Sequence, residues 1–241
     1  MPLDVREVVA RRGDLGTFVV HMTRDREGTS SKEALKQILQ TRTIRATSPF
    51  GHAVKKLEQA HQPTDSQKTA CFTETPLEYV YLLLNEISGR QVALRPYGVA
   101  VTKKVAREGS VNPVWYIDQT PGHHWIGNEV NLLVDAAITA GDFDASPIAK
   151  ICPFIEQMGT HRNADGTYAY RKEFWWEREW RKLGDYRLPD TFIVLCPTAD
   201  RVEVQAVAPP GRTASFIDPA WGLERIIAAL AGFTENEVEM L

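Results

Sequence analysis

The sequence predicts one α+β domain over residues 1–241, built on a mixed or antiparallel sheet with flanking helices. Expected strands outnumber expected helices, and the two kinds do not alternate as a doubly wound sheet requires. No repeat, low-complexity tract or linker marks a boundary. A chain of 241 residues, 43% hydrophobic and 24% charged, can bury its core without disulfide staples.

Phe18 to Thr23 reads as a strand, with Val19, His21 and Thr23 on one face and Phe18, Val20 and Met22 on the other. Ser30-Ser31-Lys32-Glu33 is a capping box that opens a helix carrying Leu35, Ile38 and Leu39 on one stripe. The polar stretch from Pro49 to Lys68 lacks periodicity and reads as a surface excursion. Ala70 to Thr73 is a second strand. Thr75-Pro76-Leu77-Glu78 then starts a helix, with Thr75 as cap, that runs through Ile87. Strands follow at Tyr97–Val101 and Val114–Ile117, then a helix from Asn128 to Ala140 closed by Gly141. The reading for Asp142 to Tyr170 is loop, with a turn at Asn163–Gly166. Further strands are expected at Phe174–Trp180, Thr191–Leu195 and Val202–Val207, and a last helix at Leu223 to Leu230.

Bulk properties weigh against several function classes. A net charge of −3 gives no global attraction for nucleic acid. No stretch reaches the roughly 20 apolar residues of a membrane helix, and Met1 to Arg12 lacks a signal-peptide core, so a cytoplasmic protein is expected. The 3 cysteines, Cys71, Cys152 and Cys196, show no zinc spacing and read as reduced thiols; no metal site is expected. Phosphate-binding glycine loops and the nucleophile-elbow pattern are absent.

Three polar segments remain. His21 and Thr23 share a strand face before a loop with Arg24 and Arg26; imidazole suits a ribose hydroxyl and guanidinium suits phosphate. A histidine simply satisfied at a strand end is the competing account. In Cys71-Phe72-Thr73-Glu74-Thr75-Pro76 a strand enters a helix N-terminus, a place for a polar or anionic ligand. Capping alone accounts for Thr75, Pro76 and Glu78, but not for Glu74. In Trp175-Trp176-Glu177-Arg178-Glu179-Trp180-Arg181, a strand would put Glu177 and Glu179 on one face and Trp176 and Trp180 on the other. Paired carboxylates suit acid/base work or a cationic transition state. A helix would instead make the run an ordinary amphipathic turn.

The order of these segments resembles the split-sheet core of ADP-ribosyltransferases, including DarT-like toxins. That resemblance implies an NAD-binding site, with His21, Thr23 and Arg24 at the first motif and Thr73, Glu74 and Thr75 at the middle one. Glu177 and Glu179 would then be the late carboxylates that stabilise an oxocarbenium-like transition state, Glu179 mattering more. Over about residues 15 to 200 the sequence also resembles the AbiGi abortive-infection family. The shared segments are His21-Met22-Thr23-Arg24, Cys71–Pro76, Tyr97–Ala100, Asn112–Tyr116 and Trp176–Arg181. This resemblance implies a phage-defence or toxin–antitoxin setting, usually as the antitoxin half. Two functions are therefore expected: an enzyme that cleaves the nicotinamide–ribose bond of NAD, or a non-catalytic antitoxin or sensor whose partner is a protein, a toxin or phage component. A nucleic-acid partner is disfavoured by the net charge.

Overall fold

The computed structural model describes residues 12–87, 90, 92–163, 165–208, 213–233 and 237–238. Their backbone is α+β, with mixed and antiparallel sheets. Packing divides the chain into two compact units, each drawn from separate stretches. Unit 1 comprises Met1–Arg42, Thr73–Ala106 and Leu188–Leu241; unit 2 comprises Thr43–Phe72 and Arg107–Arg187.

The sheet of unit 1 orders its strands Thr213–Ile217, Thr191–Leu195, Gly98–Thr102 and Phe18–Met22. The first pair is parallel and the others antiparallel, and Thr73 pairs with Val20 at the far side. Strand alternation sends Val20, Met22, Ala100, Ile193, Leu195 and Ile217 to one face, where Leu77, Val80 and Ile226 complete a core. Pairing of Val19 with Val101 and of His21 with Val99 sets those residues on the opposite face. Val19, Val99, Val101 and Val194 are all buried, so this sheet is covered on both sides. That is why its strands read as near-continuous apolar runs. Gly98 is dictated by crowding: a Cβ there would sit 2.3 Å from the His21 carbonyl oxygen.

Helix Ser31–Thr41 forms as its sequence requires. The Ser30 hydroxyl accepts from the Glu33 N–H at 3.2 Å, and Leu35, Ile38 and Leu39 are buried. Each such side chain contributes about 1.5–3 kcal/mol by burial. Leu223–Leu230 is helical as expected. The Val202–Val207 segment is not a strand: Arg201–Ala206 is a helix, with only Val204 buried and Val202 82% exposed. Its Glu203 binds Lys32 and Lys36 on the helix surface, and the β-propensity of spaced valines is overridden by context.

Unit 2 holds Ser48–Pro49, Lys68–Thr73 (whose last residue belongs to unit 1), Glu179–Leu183 and Asn112–Pro113 in one strand order. A second sheet orders Trp115–Asp118, Ile155–Arg162 and Tyr168–Lys172, its first pair parallel and its second antiparallel. Helix Trp125–Thr139 runs between the parallel strands and stops before Gly141, whose φ of +71° suits glycine. Ala53, Leu57, Val134, Phe143, Ile148, Ala149 and Cys152 form the core.

Two expectations need correction here. The Pro49–Lys68 stretch carries helix Val54–Gln59 with Leu57 buried, and buried Gln67 donates to the Ala149 carbonyl at 2.9 Å. The Asp142–Tyr170 stretch holds helix Pro147–Ile151 and strand Ile155–Arg162. Polar residues in both stretches are bonded inside the unit. His52 is one of them. Its Nε2 lies 2.9 Å from Asn131 Oδ1, and Gln157 Nε2 lies 3.1 Å from its Nδ1.

This arrangement fits a neutral imidazole, which donates through one nitrogen and accepts through the other. Burial holds the His52 pKa below the usual histidine range. A pKa depressed on folding gives stability that is fully present above the unfolded value, about 6.5, and lost as pH falls towards the folded one. The thermal midpoint of unit 2 is therefore expected to drop between pH 7.5 and 5.5. His52→Gln, which cannot titrate, should flatten that slope; an unchanged slope would assign it to another group.

Candidate functional site

The first and middle motifs lie in unit 1, and the late carboxylates lie in unit 2. Each is built differently from its sequence expectation.

His21 is half-buried on strand Phe18–Met22. Thr23 is 4% exposed, and its hydroxyl donates towards the carbonyls of Ser31 (2.9 Å) and Tyr97 (3.0 Å). That hydroxyl is committed to the backbone and ties strand end to helix start. Beyond Thr23 the chain makes a tight turn, in which Arg26 and Thr29 exchange N–H···O bonds of 2.9 and 3.0 Å. Gly28, at φ +73°, supplies the left-handed residue the turn needs. Asp25 accepts from Ser31 N–H at 2.9 Å and from Arg95 Nε at 2.7 Å. The Ser31 N–H, then Arg95, hold the Asp25 carboxyl below the usual range. Arg95 reaches this point because its own N–H donates to the Thr23 carbonyl at 3.0 Å. An open cavity of about 390 Å³ results, lined by Arg24, Asp25, Arg26, Glu27 and Arg95 with Val92 and Ala93. Arg95 carries no sequence signal, since it sits far along the chain in an irregular Leu-Arg-Pro stretch.

The middle motif is closed on itself. The Thr73 and Thr75 hydroxyls bond at 2.8 Å, and Thr75 N–H donates to Thr73 Oγ1 at 3.2 Å. Glu74, 8% exposed, pairs with Lys103 Nζ at 2.5 Å. The expected helix cap is also corrected. Pro76 is extended at ψ 143°, the following Leu77–Leu84 turn is a 3-10 helix, and no side chain caps it. With its hydroxyl at Thr73, Thr75 does not reach the helix N-terminus. Lys103 carries no sequence signal, because the first of two adjacent lysines after a strand looks like any solvated charge.

The late segment is not one strand. Trp175–Glu177 is a 3-10 turn, Arg178 adopts φ 47° and ψ 61°, and the strand begins only at Glu179. The left-handed residue breaks the alternation, so Glu177 and Glu179 are not neighbours on one strand face. Trp180 is the buried anchor, with the Arg107 guanidinium 5.5 Å above its ring. Trp175 and Trp176 are 53% and 40% exposed instead of joining the core.

Glu179 is held by Arg181, which is 1% exposed. Arg181 Nε and Nη2 donate to its two carboxylate oxygens at 2.9 and 2.7 Å. Nη2 also donates to Glu156 Oε2 at 2.5 Å, and Nη1 to the Pro153 carbonyl at 2.7 Å. Four of the five guanidinium N–H groups are thus used. Lys172 takes the second oxygen of Glu156, giving two cations and two anions in one network. Burial pushes the Glu156 pKa up, but Arg181 and then Lys172 outweigh it, and the carboxyl stays below its usual range. Cys71, half-buried beside the network, has its thiol pushed up to about 12 by burial and then by Glu179. Glu177 is partly buried in the 3-10 turn and outside this grip.

Among the described residues, no helix is long and apolar enough to cross a membrane, and no group of three or more His, Cys, Asp or Glu side chains is placed to hold a metal. Comparison with family models, curated proteins and solved structures finds no match to this chain.

Proposed function

We propose that the chain is a phage-defence or toxin–antitoxin protein with an ADP-ribosyltransferase-like use of NAD. One observation carries the reading: the cavity of about 390 Å³ directly follows the His21-Met22-Thr23 strand end and is lined by Arg24, Arg26 and Arg95. Its size falls within the range of small-molecule sites, and guanidinium forks match phosphate oxygens. In this reading the arginines receive a phosphate of NAD and the His21 imidazole serves the neighbouring ribose. The bond from ribose C1′ to the nicotinamide nitrogen breaks, nicotinamide leaves with the electron pair, and an acceptor or water adds to C1′. Glu177 and Glu179 remain the two candidates for the carboxylate of the cationic transition state, and both oxygens of Glu179 serve Arg181. Thr23 and the Thr73–Thr75 motif act as supports.

A ligand that binds only the folded state stabilises it by RT ln(1 + [L]/Kd). NAD or ADP-ribose at about 100-fold over Kd is expected to add roughly 2.7 kcal/mol, or about 5–10 °C in thermal midpoint. No shift at millimolar ligand would reject the NAD reading.

The second reading is a non-catalytic antitoxin or sensor, and the exposed aromatics of unit 2 favour it. Trp115, Tyr168, Tyr170, Trp175 and Trp176 are all exposed, and aromatic side chains dominate protein-binding surfaces. Loss of phage protection on Trp175→Ala and Trp176→Ala, with NAD inert, would select it.

A further inference from the structure

We infer that helix Trp125–Thr139 of unit 2 is a homodimer contact: two copies of the chain pair antiparallel along its outer face, in a register centred between Leu132 and Leu133. This interaction surface is independent of the NAD reading.

The helix carries two apolar faces, and its own unit uses one. Val130, Val134, Ala137 and Ile138 pack inward on the core. With about 3.6 residues per turn, Trp125, Ile126, Leu132, Leu133, Ala136 and Ala140 share the other face. All six are exposed, Trp125 at 69% and Leu132 at 62%. Polar residues keep a narrow strip, Asn128, Asp135 and Thr139, in which Asp135 pairs with Lys56. A surface helix needs one apolar stripe, so a second contiguous one marks a surface that associates.

The outer face is complementary to itself, which selects a second copy as its occupant. Its largest side chains, Trp125 and Ile126, open the helix, and the small Ala136 and Ala140 lie at the other end. Antiparallel pairing lays each Trp125 over the partner's Ala136 and Ala140, where an indole has room, and meets leucine with leucine at the centre. Charge follows the same symmetry. His123 lies at the positive end of the helix dipole, Asp142 and Asp144 lie at the negative end, and all three are exposed. The register sets His123 beside the partner's Asp142 at both ends of the contact, whereas a parallel pair would oppose like ends. Glu129, the single acid on the face, is then about 10 Å along the axis from its symmetry mate. That is near the Debye length at physiological salt, so their repulsion is largely screened. One helix pair makes a small interface, which gives a reversible, concentration-dependent dimer.

The test is analytical sedimentation of the full chain from low-micromolar to near-millimolar concentration, over which a shift from monomer to dimer is expected. Leu132→Glu with Leu133→Glu changes two exposed side chains and should hold the chain monomeric throughout, with an unchanged circular dichroism spectrum. His123→Glu and Asp142→Lys should each loosen the dimer several-fold. The chain carrying both should recover, because opposite charges meet again in the antiparallel register. In a parallel pair each substitution would face itself, and the double variant would be the loosest of all. The two charge variants lie outside the helix and carry the test if the glutamates at 132 and 133 disturb folding. A chain that stays monomeric at near-millimolar concentration would overturn the homodimer. A dimer that survives both leucine substitutions would overturn the surface, and a double charge variant looser than either single one would overturn the antiparallel direction.

Discussion

Arg181→Ala is expected to destabilise unit 2 by about 3–5 kcal/mol, a large share of the roughly 5–15 kcal/mol that holds a typical domain folded. The substitution strips both oxygens of Glu179, one of Glu156 and the Pro153 carbonyl of their donor in a site with no access to water for Arg181 itself. It also removes the guanidinium that lies 5.2 Å from the Phe50 ring. A buried anion left without its cation costs far more than the intact pair contributes, so replacing both members is diagnostic. Arg181→Met with Glu179→Leu should recover much of the loss, because Glu156 retains Lys172. Urea unfolding of the two variants checks this. A cost for Arg181→Ala below about 1 kcal/mol would mean the network behaves like a solvated surface pair.

Glu177→Gln is expected to reduce nicotinamide release from NAD by on the order of 10²-fold while leaving the folded protein and its NAD affinity nearly intact. A charge that matters only as the oxocarbenium develops is missed in the transition state and hardly in the ground state. Glu179→Gln should show the complementary pattern. It leaves Arg181 short of an ionic partner, lowers stability, and reduces activity only in proportion to folded protein. Measuring turnover and unfolding on both variants separates the two roles. A folded, fully active Glu177→Gln protein beside a folded, inactive Glu179→Gln protein would reverse the assignment.

The sequence conveyed the elements whose signals are local and redundant. Ser30–Glu33 fixed a helix start, Gly141 a helix stop, and the apolar runs of the unit 1 sheet its strands. Where local preference and long-range pairing compete, the reading failed. Val202 and Val204 suggested period two, yet Glu203 finds Lys32 and Lys36 far along the chain and the segment is helical. Glu177 and Glu179 suggested one strand face, but Arg178 takes a left-handed turn that no residue-type preference announces. Glu156 and Arg181 lie 25 positions apart, so neither their ion pair nor its consequence for Glu179 could be read from spacing. Arg24 and Arg26 were visible as candidates from their own loop, whereas Arg95 and the Asp25 contact required the folded backbone.

The interleaving of the two units orders events during synthesis. The last residue of unit 2 is Arg187, whereas the sheet of unit 1 needs Thr191–Leu195 beside Gly98–Thr102 and then Thr213–Ile217. At about 5–20 residues per second, Gly98–Thr102 waits on the order of 10 s after it is made before its second neighbour exists. Throughout that interval one side of an apolar central strand offers unpaired N–H and C=O groups, the template on which chains aggregate. Unit 2 can complete its own sequence before that vulnerability ends. Slowing translation between residues 102 and 195 would lengthen the exposure, so the yield of soluble protein should depend on holdase chaperones more steeply as synthesis slows.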